Sequence, residues 1–418
     1  MASKEKHILA LLLFCVLAFG VLYSLRLGNE LRYYDEKVYL RLASNLASSF
    51  RYTDDGRSPA IYRPPGYPFI LAGFIRLGGN IFILRFVNFI ALSLSIYLVW
   101  RILRDRSSRL AAMMGALMVV FYPVLLYTSG TLYPQTIAAA MFLYCLYVWG
   151  KERASVRLLV FSGLLFGLLI LIVPTFTFVI GFVIFLKPLY NKTMNRRRIA
   201  AIIMLTVAIV GLWIIRNYVV FHSFAFVATN SSDMLMMGNT ENATPYTGPS
   251  VNVQKYRDYA IKHRLNEIER GKYYKKTAVS WIMANKSEAA ILYVKKLANY
   301  FNYRVILATH EEESNTRDML MLVTYGPLLA LFAVRLFSRK YHFTEFDSSF
   351  SMMYFASAIV SAVFFTRIRY RIPFDYLLIM VVAKFVSDLV GEPGFHPVGH
   401  SSTRTMNSDR KVIIWKVF

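Results

Sequence analysis

Two adjacent acids, Asp35 and Glu36, stand just past the first apolar run, in the stretch YYDEKVYLRLASNLASS. A carboxylate held at a membrane surface can take the proton of an incoming hydroxyl, which makes the pair candidates for general-base chemistry. The plain alternative is solvated charge. The spacing of Val38, Leu42 and Leu46 predicts an amphipathic helix that begins at the acids and fixes their depth. Further along, Arg63-Pro64-Pro65-Gly66-Tyr67-Pro68 predicts a rigid turn rather than a helix, with Arg63 presented in one direction. Guanidinium suits two-pronged contacts with phosphate, although an arginine here would also serve as an interfacial anchor. Arg216, in WIIRNY, and Arg367, Arg369 and Arg371, in TRIRYRIP, fall at predicted outer ends of apolar helices. Charge there is costly unless it is paired or lies in a wet cavity.

The elements that must position these residues are membrane helices. The chain has 418 residues, is 56% hydrophobic and has a mean hydropathy of +0.43. Its apolar residues arrive in blocks such as HILALLLFCVLAFGVLYSL and AAIIMLTVAIVGLWII, close to the ~20 residues that cross a bilayer as a helix. Their continuity excludes the alternating pattern of a barrel. The formal charge of +24 would suggest nucleic-acid binding in a soluble protein. Here the basic residues gather in short connections, RILRDRSSR, KERASVR, NKTMNRRR and RLFSRKYH, as cytoplasmic loops do, and no nucleic-acid partner is expected.

The pattern predicts an all-α polytopic membrane protein with about ten transmembrane helices. They fall at 8–25, 81–103, 110–128, 133–150, two short ones within 158–186 meeting at Pro174, 199–221, 318–337, 348–366 and 372–390. Four regions follow: an N-terminal transmembrane region 1–221 with its first exterior loop at 26–80, a large exterior loop 222–317, C-terminal helices 318–390, and a cytoplasmic tail 391–418 with the composition of a disordered segment. The basic lead-in MASKEKH opens a retained helix rather than a cleaved signal peptide. Within the large loop, WIMANKSEAAILYVKKLANYFNYR has apolar positions at helical spacing and predicts a helix lying along the head groups.

Several signatures are missing. There is no GxxxxGK[ST], HExxH or GxSxG, so a nucleotide-driven pump, a zincin and a serine hydrolase of those types find no support. Cys15 and Cys145 both sit in apolar runs, which speaks against a disulfide framework, and the seven histidines are scattered. Asn230-Ser231-Ser232 and Asn242-Ala243-Thr244 fit the glycosylation acceptor pattern, a short motif that also arises by chance.

Four pieces together resemble a known family: Asp35-Glu36-x-x-Tyr39 with Ala43 and Leu46, RPPGYP at 63–68, WIIRNYVVF at 213–221 followed by MGNTENATP, and RIRYRIP at 367–373. They are similar to the polytopic GT-C glycosyltransferases that use polyprenyl-phosphate sugars, among them protein O-mannosyltransferases and the aminoarabinose transferase of lipid A. The resemblance implies that Asp35 is the catalytic base, with Glu36 assisting it or holding the acceptor or a metal. It puts Arg63 on the donor phosphate, and Arg216, Arg367, Arg369 and Arg371 on the lipid phosphate or leaving group. Tyr39, Tyr67, Asn217 and Tyr370 would contact substrate.

Partners would be a polyprenyl-phosphate-linked sugar, membrane lipids, and an acceptor glycan, lipid or protein. The reaction would be an inverting single displacement on the exterior or periplasmic face of the plasma (inner) membrane. One departure stands out: Thr131-Leu132-Tyr133-Pro134-Gln135 has Gln135 where many relatives have an acid. The lost charge leaves the metal requirement open, so a divalent metal is a cofactor to be tested rather than assumed. The main rival function is a transporter or flippase of lipid-linked glycans, which would show charged or broken helices at mid-bilayer and internal repeats. A polymerase or ligase that uses diphosphate-linked glycans is a second; it would show exterior arginines without needing the helix at Asp35 and Glu36.

Overall fold

The structure is a computed structural model that describes residues 2–151, 155–179, 181, 196–246, 248–304, 314–338, 340–341 and 343–391. The first apolar run forms α1 (Ala2–Leu27), and the polar stretch after it holds α2 (Tyr34–Ser49) and α3 (Gly66–Arg76). α4 (Ile81–Arg106) starts where the Asn80 side chain accepts from the Ile83 amide, and α5 (Arg109–Val120) where Ser108 accepts from Ala111. α6 (Pro123–Ser129) departs from α5 by 57°, because Pro123 has no N–H with which to continue the ladder. α7 (Gln135–Trp149), α8 (Val156–Ile172) and α9 (Arg196–Phe221) follow. Segment 222–317 contains α10 (Asn230–Gly238), α11 (Gln254–Lys262), α12 (Glu267–Ala284) and α13 (Lys286–Tyr300). The chain closes with α14 (Asn315–Phe337), α15 (Glu345–Val363) and α16 (Ile368–Val390).

The centre of the bundle is α16, buried at every position from Arg371 to Phe385 and surrounded by α5, α7, α14 and α15. Its buried charges are paired internally. Arg371 meets Asp375 at 3.0 Å, and Lys384 lies 2.9 Å from Asp388 and 3.3 Å from Asp347, which also pairs with Arg335 at 2.7 Å. Pairing is what makes such charges tolerable in a low-dielectric interior. α1 and α9 lie at the periphery and expose Leu11, Phe14, Leu22, Met204, Leu212 and Ile215, an apolar surface suited to lipid. α9 packs along α8 where Gly163 and Gly167 receive Leu205 and Ile209, the close approach that small residues allow.

All described elements are helical, as expected, and the chain is a multi-pass membrane protein. Five helices are long and apolar enough to cross a membrane: those spanning Lys4–Leu27, Ile81–Arg106, Arg198–Phe221, Asn315–Phe337 and Glu345–Val363. The bent pair α5 and α6 makes a sixth if counted as one span. The expected ten are not reached on this measure. α7 and α8 are apolar but short, at 15 and 17 residues, and α16 carries the charges just described. α8 does end before Pro174, but part of the second half of the expected 158–186 pair, 180 and 182–186, lies outside the described residues, as does the tail beyond Gly391.

Two local expectations are corrected. The sequence 63–68 is a turn only through Pro65: Gly66, Tyr67 and Pro68 open α3, where a proline in the first turn costs no hydrogen bond. The segment TRIRYRIP is not a loop up to Pro373, since α16 begins at Ile368. The Arg371–Asp375 pair, one turn apart, straddles Pro373 and holds that turn helical.

Candidate active site

The first turn of α2 separates its two acids. Glu36 is 1% exposed, with Oε2 accepting from the Arg32 and Tyr33 amides at 2.9 and 3.0 Å and Oε1 accepting from the Leu132 amide at 2.8 Å. It caps α2 and binds the start of the helix to the 130–135 connection, whose Thr131 carbonyl also accepts from the Asn88 side chain. Adjacent residues on a helix point about 100° apart, so Asp35 faces a different direction. It faces two arginines. Arg63 Nη2 donates to Asp35 Oδ1, and Arg369 Nη1 donates to Oδ2 at 2.7 Å, in a part-buried cluster.

Each arginine is held by its own surroundings. The Tyr52 hydroxyl donates to the Arg63 carbonyl at 2.9 Å, and the Arg63 guanidinium lies over the rings of Tyr39 and Tyr62. The turn that carries it is seated on the end of α8. A Cβ on Gly66 would come within 2.8 Å of the Ile172 backbone nitrogen, so only glycine fits. Arg369, in the first turn of α16, lies over Tyr133 and Tyr370. Among the described residues the buried Nε groups of both arginines have no partner, which leaves them donors to spare. Burial pushes the Asp35 carboxyl up, but Arg369 and Arg63 outweigh it and hold the group below its ordinary value.

These residues line a cavity of about 450 Å³. Its polar lining includes Asp35, Arg63, Arg369, Tyr39 and Tyr370, while Ile172, Val173, Phe178, Phe226 and Phe374 supply an apolar wall. Such a combination fits an amphiphile with an anionic head: the arginines meet the anion and the wall meets hydrocarbon.

The other expected site residues lie elsewhere. Arg371 is two residues from Arg369, so on a helix it points to nearly the opposite side. It is fully buried and donates to Asp375 and to the carbonyls of Tyr300 and Asn302. Arg216 stacks with Trp213, Tyr52 and Phe221 and donates to the Ala60 carbonyl at 3.1 Å. Asn217 spans the α9 exit by donating to the Ala225 carbonyl, so WIIRNYVVF is scaffold for the 225–228 wall rather than part of the cavity. Arg367 precedes α16 beside Gly248 and does not line the cavity. Tyr67 is buried edge-on against Tyr39, beneath the site.

Sequence reasoning missed Tyr133, Gln135, Tyr62, Asp233 and Arg257, all of which line the cavity. Tyr62 donates to Asp233 at 2.7 Å across 171 residues, and nothing local in the sequence signals such a pair. Gln135 was visible only as a departure from a family pattern. A divalent cation does not fit Asp35 and Glu36. The oxygens of the first are taken by guanidiniums and those of the second by backbone N–H groups. Among the described residues, no group of three or more His, Cys, Asp or Glu could hold a metal ion.

The fold and site together define a multi-pass helical membrane protein with a carboxylate held between two arginines in an apolar-walled cavity. Residues 62–228 match the family model described as dolichyl-phosphate-mannose-protein mannosyltransferase, which bears out the resemblance read from the sequence motifs. A search of curated protein sequences gives no match. Among solved structures, the chain is similar to ArnT from Cupriavidus metallidurans bound to undecaprenyl phosphate, at 12% identity and a TM-score of 0.45, over 93% of this chain and 77% of that one. It is also similar to the oligosaccharyltransferase of Archaeoglobus fulgidus in the apo form, at 16% identity and a TM-score of 0.48, over 91% of this chain. It spans about half, 51%, of that oligosaccharyltransferase's length.

Proposed function

We propose that the chain is a membrane glycosyltransferase that moves a sugar from a polyprenyl-phosphate donor to an acceptor hydroxyl. The observation that carries this is Asp35 held between Arg63 and Arg369 in an apolar-walled cavity. The acceptor O–H gives its proton to the Asp35 carboxylate, and the oxygen attacks the anomeric carbon. The bond from that carbon to the phosphate oxygen breaks with its electron pair on the phosphate, and polyprenyl phosphate leaves on the two arginines. A single displacement inverts the anomeric centre.

The arginines also tune the base. In the resting site they keep Asp35 a weak base, below its ordinary range. As the phosphate develops charge and draws them off, burial alone acts on the carboxyl and raises its proton affinity when the proton must be taken. Glu36 holds the helix, not the substrate, and no step runs through a metal. The reading includes the wider expectations: a site on the exterior or periplasmic face of the plasma membrane, a span count nearer ten, and a catalytic loop at 26–80 within the N-terminal region.

The test is reconstitution in liposomes with polyprenyl-phosphate sugars, following release of free polyprenyl phosphate from wild type and Asp35→Asn. Full transfer by well-inserted Asp35→Asn protein would end the assignment of Asp35 as base.

A further inference from the structure

Lys296, in α13, is fully buried, and among the described residues no carboxylate pairs with it. Its Nζ donates to the Gly238 carbonyl at 3.1 Å, to Asn239 Oδ1 at 3.0 Å and to the Phe364 carbonyl at 2.9 Å, which uses all three N–H groups of an ammonium. Gly238 ends α10, and Phe364 caps the end of α15. The carbonyl ends of two helices, both partly negative, therefore converge on one cation. They also touch, since a Cβ on Gly238 would strike the Phe364 carbonyl oxygen. Without the cation, oxygens would face one another there.

This lock holds the frame of the cavity. α10 brings Met234 and Met237 to the lining, and Phe364 and Phe365 line it too. Phe364 also opens the short connection to α16, which starts at Ile368 and carries Arg369 in its first turn. The same stretch of α13 pins that connection a second time. Asn299 Nδ2 donates to Thr366 Oγ1 at 2.9 Å, and Thr366 Oγ1 donates to the Lys296 carbonyl at 2.9 Å.

We propose that Lys296 is a positioning residue whose ammonium ties the end of α10 to the end of α15 and so sets where Arg369 meets the departing phosphate. The inference rests on the transferase reading above. Lys296 is sealed from the cavity and touches no substrate; it acts through Phe364 and Thr366. A neutral amine would keep two N–H groups and turn a lone pair on the third oxygen, so the lock needs the proton. Burial brings the Lys296 ammonium down from its ordinary 10.5 to about 8. The groups that face it, from α10, α15 and the connection, are neutral amides and carbonyls. The charged groups on those elements are engaged elsewhere: Asp233 with Tyr62, Arg367 with the Phe365 ring, and Glu345 and Asp347 in the first turn of α15, at its other end. On α13 itself, Lys295 is exposed, while the Tyr293 and Tyr300 hydroxyls bond to Ile359 and Ser357.

The experiment uses the full chain in liposomes with undecaprenyl-phosphate hexoses, reading release of undecaprenyl phosphate from about pH 7 to about pH 10, with melts in detergent over the same range. In wild type, kcat should fall by about 10- to 100-fold as pH rises through about 8, the effect of a misplaced phosphate donor. KM for the lipid donor should change less, because Arg63 still holds the phosphate. A folded-state value below the ordinary one means that losing this proton costs the fold no stability, so the melting temperature should hold across the same interval. Lys296→Met, which fills the site without a donor, should start at the low level and show no alkaline limb. Where that variant fails to fold, the wild-type limb and melts decide. A flat wild-type profile, a limb that survives in Lys296→Met, or a wild-type melting temperature that falls in step with kcat would make Lys296 scaffold and overturn the proposal. Wild type that releases no undecaprenyl phosphate from any donor at neutral pH would instead refute the transferase reading, and the role of Lys296 in it.

Discussion

Replacing Asp35 by Asn should separate binding from turnover. The carboxylate competes with a lipid phosphate for the same two guanidiniums, accepting from Arg63 on one oxygen and from Arg369 at 2.7 Å on the other. A phosphate bridging those arginines would sit about 5 Å from the carboxylate, and at an effective dielectric of about 20 the two anions repel by about 3 kcal/mol. Solvent entering the cavity trims this to about 1–2 kcal/mol. Asp35→Asn removes the repulsion, so undecaprenyl phosphate should bind about 10-fold more tightly than to wild type. Sugar transfer should meanwhile fall by about 10²- to 10⁴-fold, the range of a lost general base. Both follow from one preparation: lipid binding by quenching of intrinsic tryptophan fluorescence, and transfer by release of polyprenyl phosphate. Weaker lipid binding together with slower transfer would refute the reasoning, because it would mean that the carboxylate organises the arginines rather than competing for them. In wild type the acid limb of kcat/KM for the free enzyme should lie below the ordinary carboxylate value of about 3.9, since the arginines hold Asp35 under it. The stability those ion pairs contribute is present above that value and lost as pH falls through the folded-state pKa.

Other predictions follow the division between site and scaffold. Arg369→Met should depress transfer with a small change in melting temperature, whereas Arg371→Met should destabilise the fold by about 3–5 kcal/mol by stranding buried Asp375; melts in detergent with parallel transfer assays distinguish them. Glu36→Gln should lower thermal stability by about 1.5–3 kcal/mol, through weakened bonds to three backbone amides, and reduce transfer far less than Asp35→Asn does. Gly66→Ala should push the Arg63 turn off the end of α8, seen as raised KM for the lipid donor, while the same change at Gly73, which has open space, leaves KM alone.

Much of the site's first half was legible because it is local. The acids, the helical spacing of Val38, Leu42 and Leu46, and the fixed turn after Arg63 lie within about thirty residues, and each carries its own pattern. The arginines near the C-terminus were harder. All three in RIRYR look alike until the helix is known to start at Ile368, and only then does its phase send Arg369 to the cavity and Arg371 to the core. Arg216 is hard to place for a related reason: a charge at a helix end looks functional in the sequence, and only the fold shows that it stacks on three aromatic rings. Tyr62, Gln135, Asp233 and Arg257 meet only through tertiary folding and leave no periodic trace. Counting spans by length and apolarity falls below the expected ten because helices packed deep in a bundle need be neither long nor uniformly apolar.

The greasy side of the cavity, from Ile172 to Phe178 and at Phe226, bears on kinetics. A substrate whose tail slides along such a wall never has to leave the bilayer, so the variable that governs saturation is its mole fraction in the lipid plane, not its concentration in the surrounding water. Diluting the donor with inert phospholipid at constant bulk amount should slow the reaction just as withholding substrate would.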